Sequence, residues 1–195
     1  YIPLLTMGLI SKEKSSGSIK LLFSSPINNT QIVLGKFAAM VVYILILIGV
    51  LSIFVTFANF TVRDFDLPAI LSALLGLFLL ACAYSAIGLF MSTLTSYQVV
   101  AAVGTLAVLA VLNFIDKMTS NLEFVRDLTY WLSIRGRSGD MLEGLICSDA
   151  VAYFLIVIGL FITLSIMKLN SERSRDKKIV SIARYAIVVA VAFTL

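Results

Sequence analysis

Lys12–Lys36, KEKSSGSIKLLFSSPINNTQIVLGK, carries four lysines (Lys12, Lys14, Lys20, Lys36) against one carboxylate, Glu13, and an uncharged run of 26 residues follows it. A basic, partly apolar stretch in front of a hydrophobic span reads as a cytoplasmic loop. If Ser15–Ser25 is a short helix, Ile19, Leu22, Phe23 and Pro26 share one face and Lys20 lies opposite, because the i, i+3, i+4 and i+7 positions coincide on a 3.6-residue period. Pro26 ends that helix. Asn28, Asn29 or Thr30 can then cap a second helix that runs into the membrane, since a side-chain oxygen satisfies the free N–H groups of a helix start. From the residues alone, a short amphipathic helix placed this way could simply lie on anionic lipid.

Outward from this stretch the chain is apolar. Of 195 residues, 60% are hydrophobic and 13% charged, against about 45 to 50% and about 25% in a soluble domain. The expected fold is therefore an all-α, polytopic helical membrane protein. A span needs about 20 apolar residues. Phe37–Asn59 meets that requirement, and Arg63, Asp64 and Asp66 mark an outer turn before Pro68, which suits the first turn of the next helix. From Leu67 to Ile115 no charge occurs, too long a run for one helix, and the polar residues from Ser92 to Gln98 divide it into antiparallel spans Pro68–Met91 and Gln98–Phe114. Asp116–Asp149 is polar, Ala150–Met167 is a further span, Lys168–Lys178 is a basic linker, and Ile179–Leu195 begins one more helix. Tyr1–Ile10 is too short to cross and reads as the end of a preceding span, so the chain is expected to be a piece of a longer protein. Placing Lys12–Lys36 inside also puts Ser92–Gln98 and Lys168–Arg184 inside. The inner side then holds ten basic residues and the outer side five, in keeping with the excess of Lys and Arg on the cytoplasmic face. Within the outer segment Leu122, Val125, Leu128, Trp131 and Leu132 repeat at helical spacing and predict an interfacial helix, the alternative being a solvated loop with one lipid-anchored helix.

The residue types exclude most chemistry. There is no histidine, and Cys82 and Cys147 make neither a disulfide framework nor a metal site, so no catalytic residue, cofactor or metal is expected. Ion-coupled carriers normally place carboxylates or histidines within their spans. Here the only span charge is Arg184, near a helix end, which points to an energy source outside this chain. No phosphate-cradling glycine loop with Lys-Ser/Thr occurs, so that source is not ATP hydrolysis by the chain itself. Ala81, Ser85, Gly88, Ala102, Gly104 and Ala107 are small residues suited to close helix packing, with Ser85 and Gly88 the chief candidates. Ser52, Thr56, Ser72, Tyr84, Thr105 and Asn113 could line a path for an amphiphile, although a Ser or Thr bonded to its own helix carbonyl explains such residues equally well.

Pro3–Met7, Glu13–Ile19 with Leu21 and Leu22, Ser25–Ile27 and Ile32–Phe37 together resemble the signature of type 2 ATP-binding-cassette (ABC) export permeases, closest to the gliding-motility branch. Ala83–Thr95 resembles a later span of the same permeases, and Leu132–Ser165 matches more weakly. Lys12–Glu13 stands where the family usually has two acids, and Lys20 where it often has Glu. The resemblance implies that the chain starts near the end of the family's second span and that the permease domain covers 1–167. It further implies that Lys12–Lys36 is the coupling segment that docks on a separate ABC ATPase subunit, and that a second permease copy completes the path in a bacterial inner membrane. On that reading Glu13, Gly17, Leu22, Phe23, Pro26 and Lys36 form the dock. Phe23 fills an apolar pocket, Pro26 fixes the turn, Gly17 supplies backbone freedom and Glu13 meets an ATPase arginine. The last helix could then belong to a fused second component or be a plain anchor. The rival reading is a membrane scaffold without transport.

Overall fold

The structure, a computed structural model, describes residues 2–19, 24, 27–61, 67–119 and 148–173, and every element among them is an α-helix. The short helices α1 (Ile2–Thr6) and α2 (Ser11–Ser15) are followed by four long ones: α3 (Asn29–Thr61), α4 (Leu67–Leu94), α5 (Gln98–Thr119) and α6 (Ser148–Arg173). The chain is a polytopic helical membrane protein. Asn29–Phe57, Pro68–Leu94 and Val151–Glu172 are long and apolar enough to cross a bilayer, and Gln98–Leu112 is a shorter apolar stretch.

Helix starts follow from local chemistry. Asn28 sits just ahead of α3, where its carbonyl accepts the N–H groups of Gln31 and Ile32. The Gln31 side chain reaches back to accept the Asn28 N–H at 3.2 Å, the return half of a capping box. Pro68 is the second residue of α4, where a missing N–H costs least. Between α4 and α5 the chain turns in three residues, Thr95–Tyr97, with the Thr95 hydroxyl accepting the Tyr97 N–H. At 33 residues, α3 is about 50 Å long. That exceeds a hydrocarbon layer of about 30 Å, so its first turns, which include Lys36, extend beyond the uncharged part.

The centre of the bundle is α4, which packs against α6, α3, α5 and α1. One apolar cluster joins Leu79, Ala83 and Ile87 of α4 to Leu109 of α5 and Phe154 of α6. A second, nearer the lysines, joins Ile10, Val33, Leu89 and Leu169. Phe90 and Phe161 add a tilted ring pair with centroids 5.7 Å apart. By contrast α3 turns Val42, Ile46, Ile53, Phe54 and Phe57 outward, as a lipid-facing helix does.

Several boundaries differ from the sequence reading, the first at the helix expected over Ser15–Ser25: α2 ends at Ser15, and residues 16–18 form a turn in which Gly17 takes a positive φ. Helix α4 runs through Ser92 and Thr93 to Leu94, and α6 continues past Met167 to Arg173, into the stretch read as a linker. In both cases the polar residues find partners that keep them helical, as set out below. The interfacial helix expected around Leu122–Leu132 and the helix expected from Ile179 lie outside the described residues.

Candidate functional site

Three stretches that are distant in sequence and expected on one side of the membrane meet at one end of the bundle: Met7–Ile19 with Asn29–Lys36, the end of α4, and the end of α6. Ser92 is the socket for the turn between α1 and α2. Its fully buried hydroxyl accepts the N–H groups of Ile10 and Ser11, each at 3.0 Å, and donates to the Met7 carbonyl at 3.1 Å. The first N–H groups of a helix have no partner within it, and α2 has no side-chain cap of its own. Ser92 therefore caps α2 from another helix.

Two lysines of the stretch point into the protein. Lys14, whose side chain is 9% exposed, donates to the Thr93 carbonyl and to both oxygens of Glu172, at 2.8 and 2.7 Å. Lys168, one turn before Glu172, stands 3.9 Å from it. Lys36 donates to the Leu9 carbonyl and to Glu13 Oε1 at 2.6 Å. Asn29, also buried, donates from Nδ2 to Asn170 Oδ1 at 2.7 Å. The Ile10, Val33, Leu89 and Leu169 cluster lies under these polar contacts.

The chain after α2 is set by Gly17. Its φ of +74° lies in the left-handed region, which costs a residue with a Cβ about 1 to 2 kcal/mol. It follows the C-cap Ser16, as a glycine commonly does where a helix ends. A Cβ at Gly17 would meet nothing within 4 Å, so backbone conformation and not space selects glycine here. At Gly88 space selects it, because a Cβ there would lie 2.1 Å from Thr6 Oγ1 and 2.7 Å from Thr6 Cβ.

Residues 1–125 match the family described as ABC-2 family transporter protein. The chain belongs to the ABC-2 transporter family. It is accordingly a membrane permease of an ABC transporter. No curated protein and no solved structure matches it. The match takes in α1 to α5 of the permease and stops before α6.

Set on this ABC-2 permease, the expected dock residues fall into two groups. Leu22, Phe23 and Pro26 lie outside the described residues. Glu13, Gly17 and Lys36 are described, and Glu13, read as meeting an ATPase arginine, already holds Lys36 of its own chain through one oxygen. Its other oxygen is buried and has no hydrogen-bond partner among the described residues. Ser85 is fully buried on α4 and Gly88 is the close approach to α1. Sequence reasoning missed Ser92, Asn29–Asn170 and Glu172.

The hydroxyls within the spans mostly bond their own helix. Ser52, Ser72 and Ser85 donate three residues back, and Thr56, Thr105 and Ser165 four residues back, at 2.7 to 2.8 Å. Those donors are thereby satisfied without a solute. Tyr84 packs against the apolar core, and the side chain of Asn113 is not among those described.

Proposed function

We propose that this ABC-2 permease is the translocating subunit of an ATP-driven exporter and that Lys12–Lys36 is where a separate ABC ATPase subunit docks. In the proposed working unit, two permease copies in a bacterial inner membrane pair with an ATPase dimer, and closure of that dimer is passed through the stretch into the spans. The resemblance to the gliding-motility branch suggests such a system as the setting.

One observation carries the reading. The stretch is held at both of its described ends, by Ser92 on the turn that leads into it and Lys14 near its start, and by Asn29 and Lys36 at its other end, so a push on its middle reaches three helices. A loop that merely rested on lipid would need no such anchorage. Glu13 adds a second support: one of its oxygens finds no donor among the described residues, and a buried oxygen without a donor costs about 1 to 3 kcal/mol. A donor from a docked subunit would relieve that cost.

The test uses the full chain with the ABC ATPase that co-purifies with it. Phe23→Asp should abolish stimulation of ATP hydrolysis while membrane insertion is unchanged. Unaltered stimulation would remove Phe23 from the dock, and failure of any ABC ATPase to co-purify with the unmodified chain would favour a scaffold.

A further inference from the structure

The docking stretch is continuous in sequence with α3, but nothing in the covalent chain ties it to α6, which begins more than 110 residues downstream and beyond the family match. Yet α6 is the helix it grips through Lys14, whose side chain is largely covered. Lys14 bridges Glu172 and the Thr93 carbonyl, Asn29 bonds Asn170, and Leu169 belongs to the apolar cluster with Ile10 and Val33. Glu172 and Asn170 are two residues apart and Leu169 precedes them, so three residues near the end of α6 are engaged. A lysine kept this far from water is expensive unless it is paired and hydrogen-bonded, and here it is both.

We propose that Lys14–Glu172 and Asn29–Asn170 form a latch that makes the docking stretch and the inner end of α6 move as one body, so that α6 carries the ATPase stroke into the membrane. The inference rests on the docking reading and adds to it an output helix and its positioning residues. Lys14 and Glu172 touch neither nucleotide nor solute in this account. They act by keeping α6 attached to a segment that the motor moves.

Separating the two pieces should leave the ATPase bound but no longer stimulated. Glu172→Gln keeps the shape of the side chain and removes its charge. It should lower stimulated ATP hydrolysis roughly five-fold or more, the lower end of ordinary coupling between sites, with co-purification of the ATPase unchanged. In a chain with Cys82→Ser and Cys147→Ser, the pair Lys14→Cys and Glu172→Cys should show the same loss and regain stimulation when bridged by a short bis-maleimide. A purely structural role would not give rescue by a bridge. The latch is overturned if Glu172→Gln stimulates like the unmodified chain, if the bridge suppresses stimulation further, or if the ATPase no longer co-purifies, which would place Glu172 in the dock itself. If the unmodified chain stimulates no ATPase, the docking reading falls and this inference with it.

Discussion

Ser85 and Ser92 lie seven residues apart on α4, both fully buried, and their hydroxyls are used in different ways. Seven residues is about two turns, so the two side chains share a face some 10 Å apart along the axis. Ser85 donates to the Cys82 carbonyl of its own helix at 2.8 Å. Ser92 bonds three backbone groups of the α1–α2 turn. Throughout the spans the hydroxyls named above follow Ser85, while at the lysine-bearing end Ser92, Lys14, Lys36 and Asn29 all reach across to other elements. In a medium without water a polar group must be satisfied, and a helix can satisfy its own hydroxyls at no cost in freedom of movement. Helices joined in the middle by shape and at one end by polar contacts can rearrange against each other while that end stays assembled, which is what a transmitted stroke requires.

Joining by shape is most exposed at Gly88, three residues into the interval between the two serines. Gly88→Val brings a branched side chain to a point where even a Cβ would stand 2.1 Å from Thr6 Oγ1. The neighbouring atoms include the Cβ of Thr6, so the clash cannot be relieved by rotating a flexible tip, and α1 must move off α4. Overpacking of this kind costs about 1 to 3 kcal/mol and at times more. The expected outcome is the largest loss among these variants, read as a fall in the thermal midpoint of the detergent-purified protein. A midpoint equal to that of the unmodified chain would mean that α1 is not packed where the structure has it.

Ser92→Ala addresses the other kind of join. The N–H groups of Ile10 and Ser11 lose their acceptor, and a buried donor left without one costs about 1 to 3 kcal/mol. The Met7 carbonyl keeps a donor, because Ser11 Oγ also bonds it. A loss of about 2 kcal/mol is expected, concentrated locally: hydrogen exchange should rise over Met7–Ile19 and stay as it was in the middle of α4. Exchange that rises along the whole of α4 would show that Ser92 supports the helix rather than the turn.

Much of the bundle was legible because the long apolar runs mark the spans, and because the cap candidates Asn28, Asn29 and Thr30 and the residue Pro68 mark helix starts in their residue types. The fate of the polar residues was less so. Ser92–Gln98 reads as a place to turn, and the turn is there, but Ser92 and Thr93 stay helical because the α1–α2 turn and Lys14 use their hydroxyl and carbonyl. Lys14 and Lys36 read only as part of a basic cytoplasmic loop, since charge counting has no means of pairing Lys14 with a glutamate 158 residues away. One signal was available for α6. Ile162, Ile166 and Leu169 are spaced by four and three, and this apolar stripe continues past Met167 into the stretch read as a linker. The proposed dock rests on resemblance to the family, and Gly17 is the one of its residues whose backbone requirement is visible locally.

The smallest effect separates a self-satisfied hydroxyl from one that faces a solute. Ser85→Ala removes a donor and leaves the Cys82 carbonyl with the ordinary bonding of its helix. Side-chain hydrogen bonds within membranes average only about 0.6 kcal/mol, and alanine favours the helix more than serine does, so the net change in stability should stay below about 0.5 kcal/mol. Thr105→Val makes the same comparison on α5 with shape conserved, since Thr105 donates four residues back to Ala101 at 2.7 Å. Both variants should leave the thermal midpoint and the stimulated ATPase rate where they were. A loss matching that of Ser92→Ala would put these hydroxyls in contacts between helices and remove the distinction between the middle of the bundle and its end. An unchanged midpoint with altered ATPase stimulation would instead place Ser85 or Thr105 on the path of the transported solute.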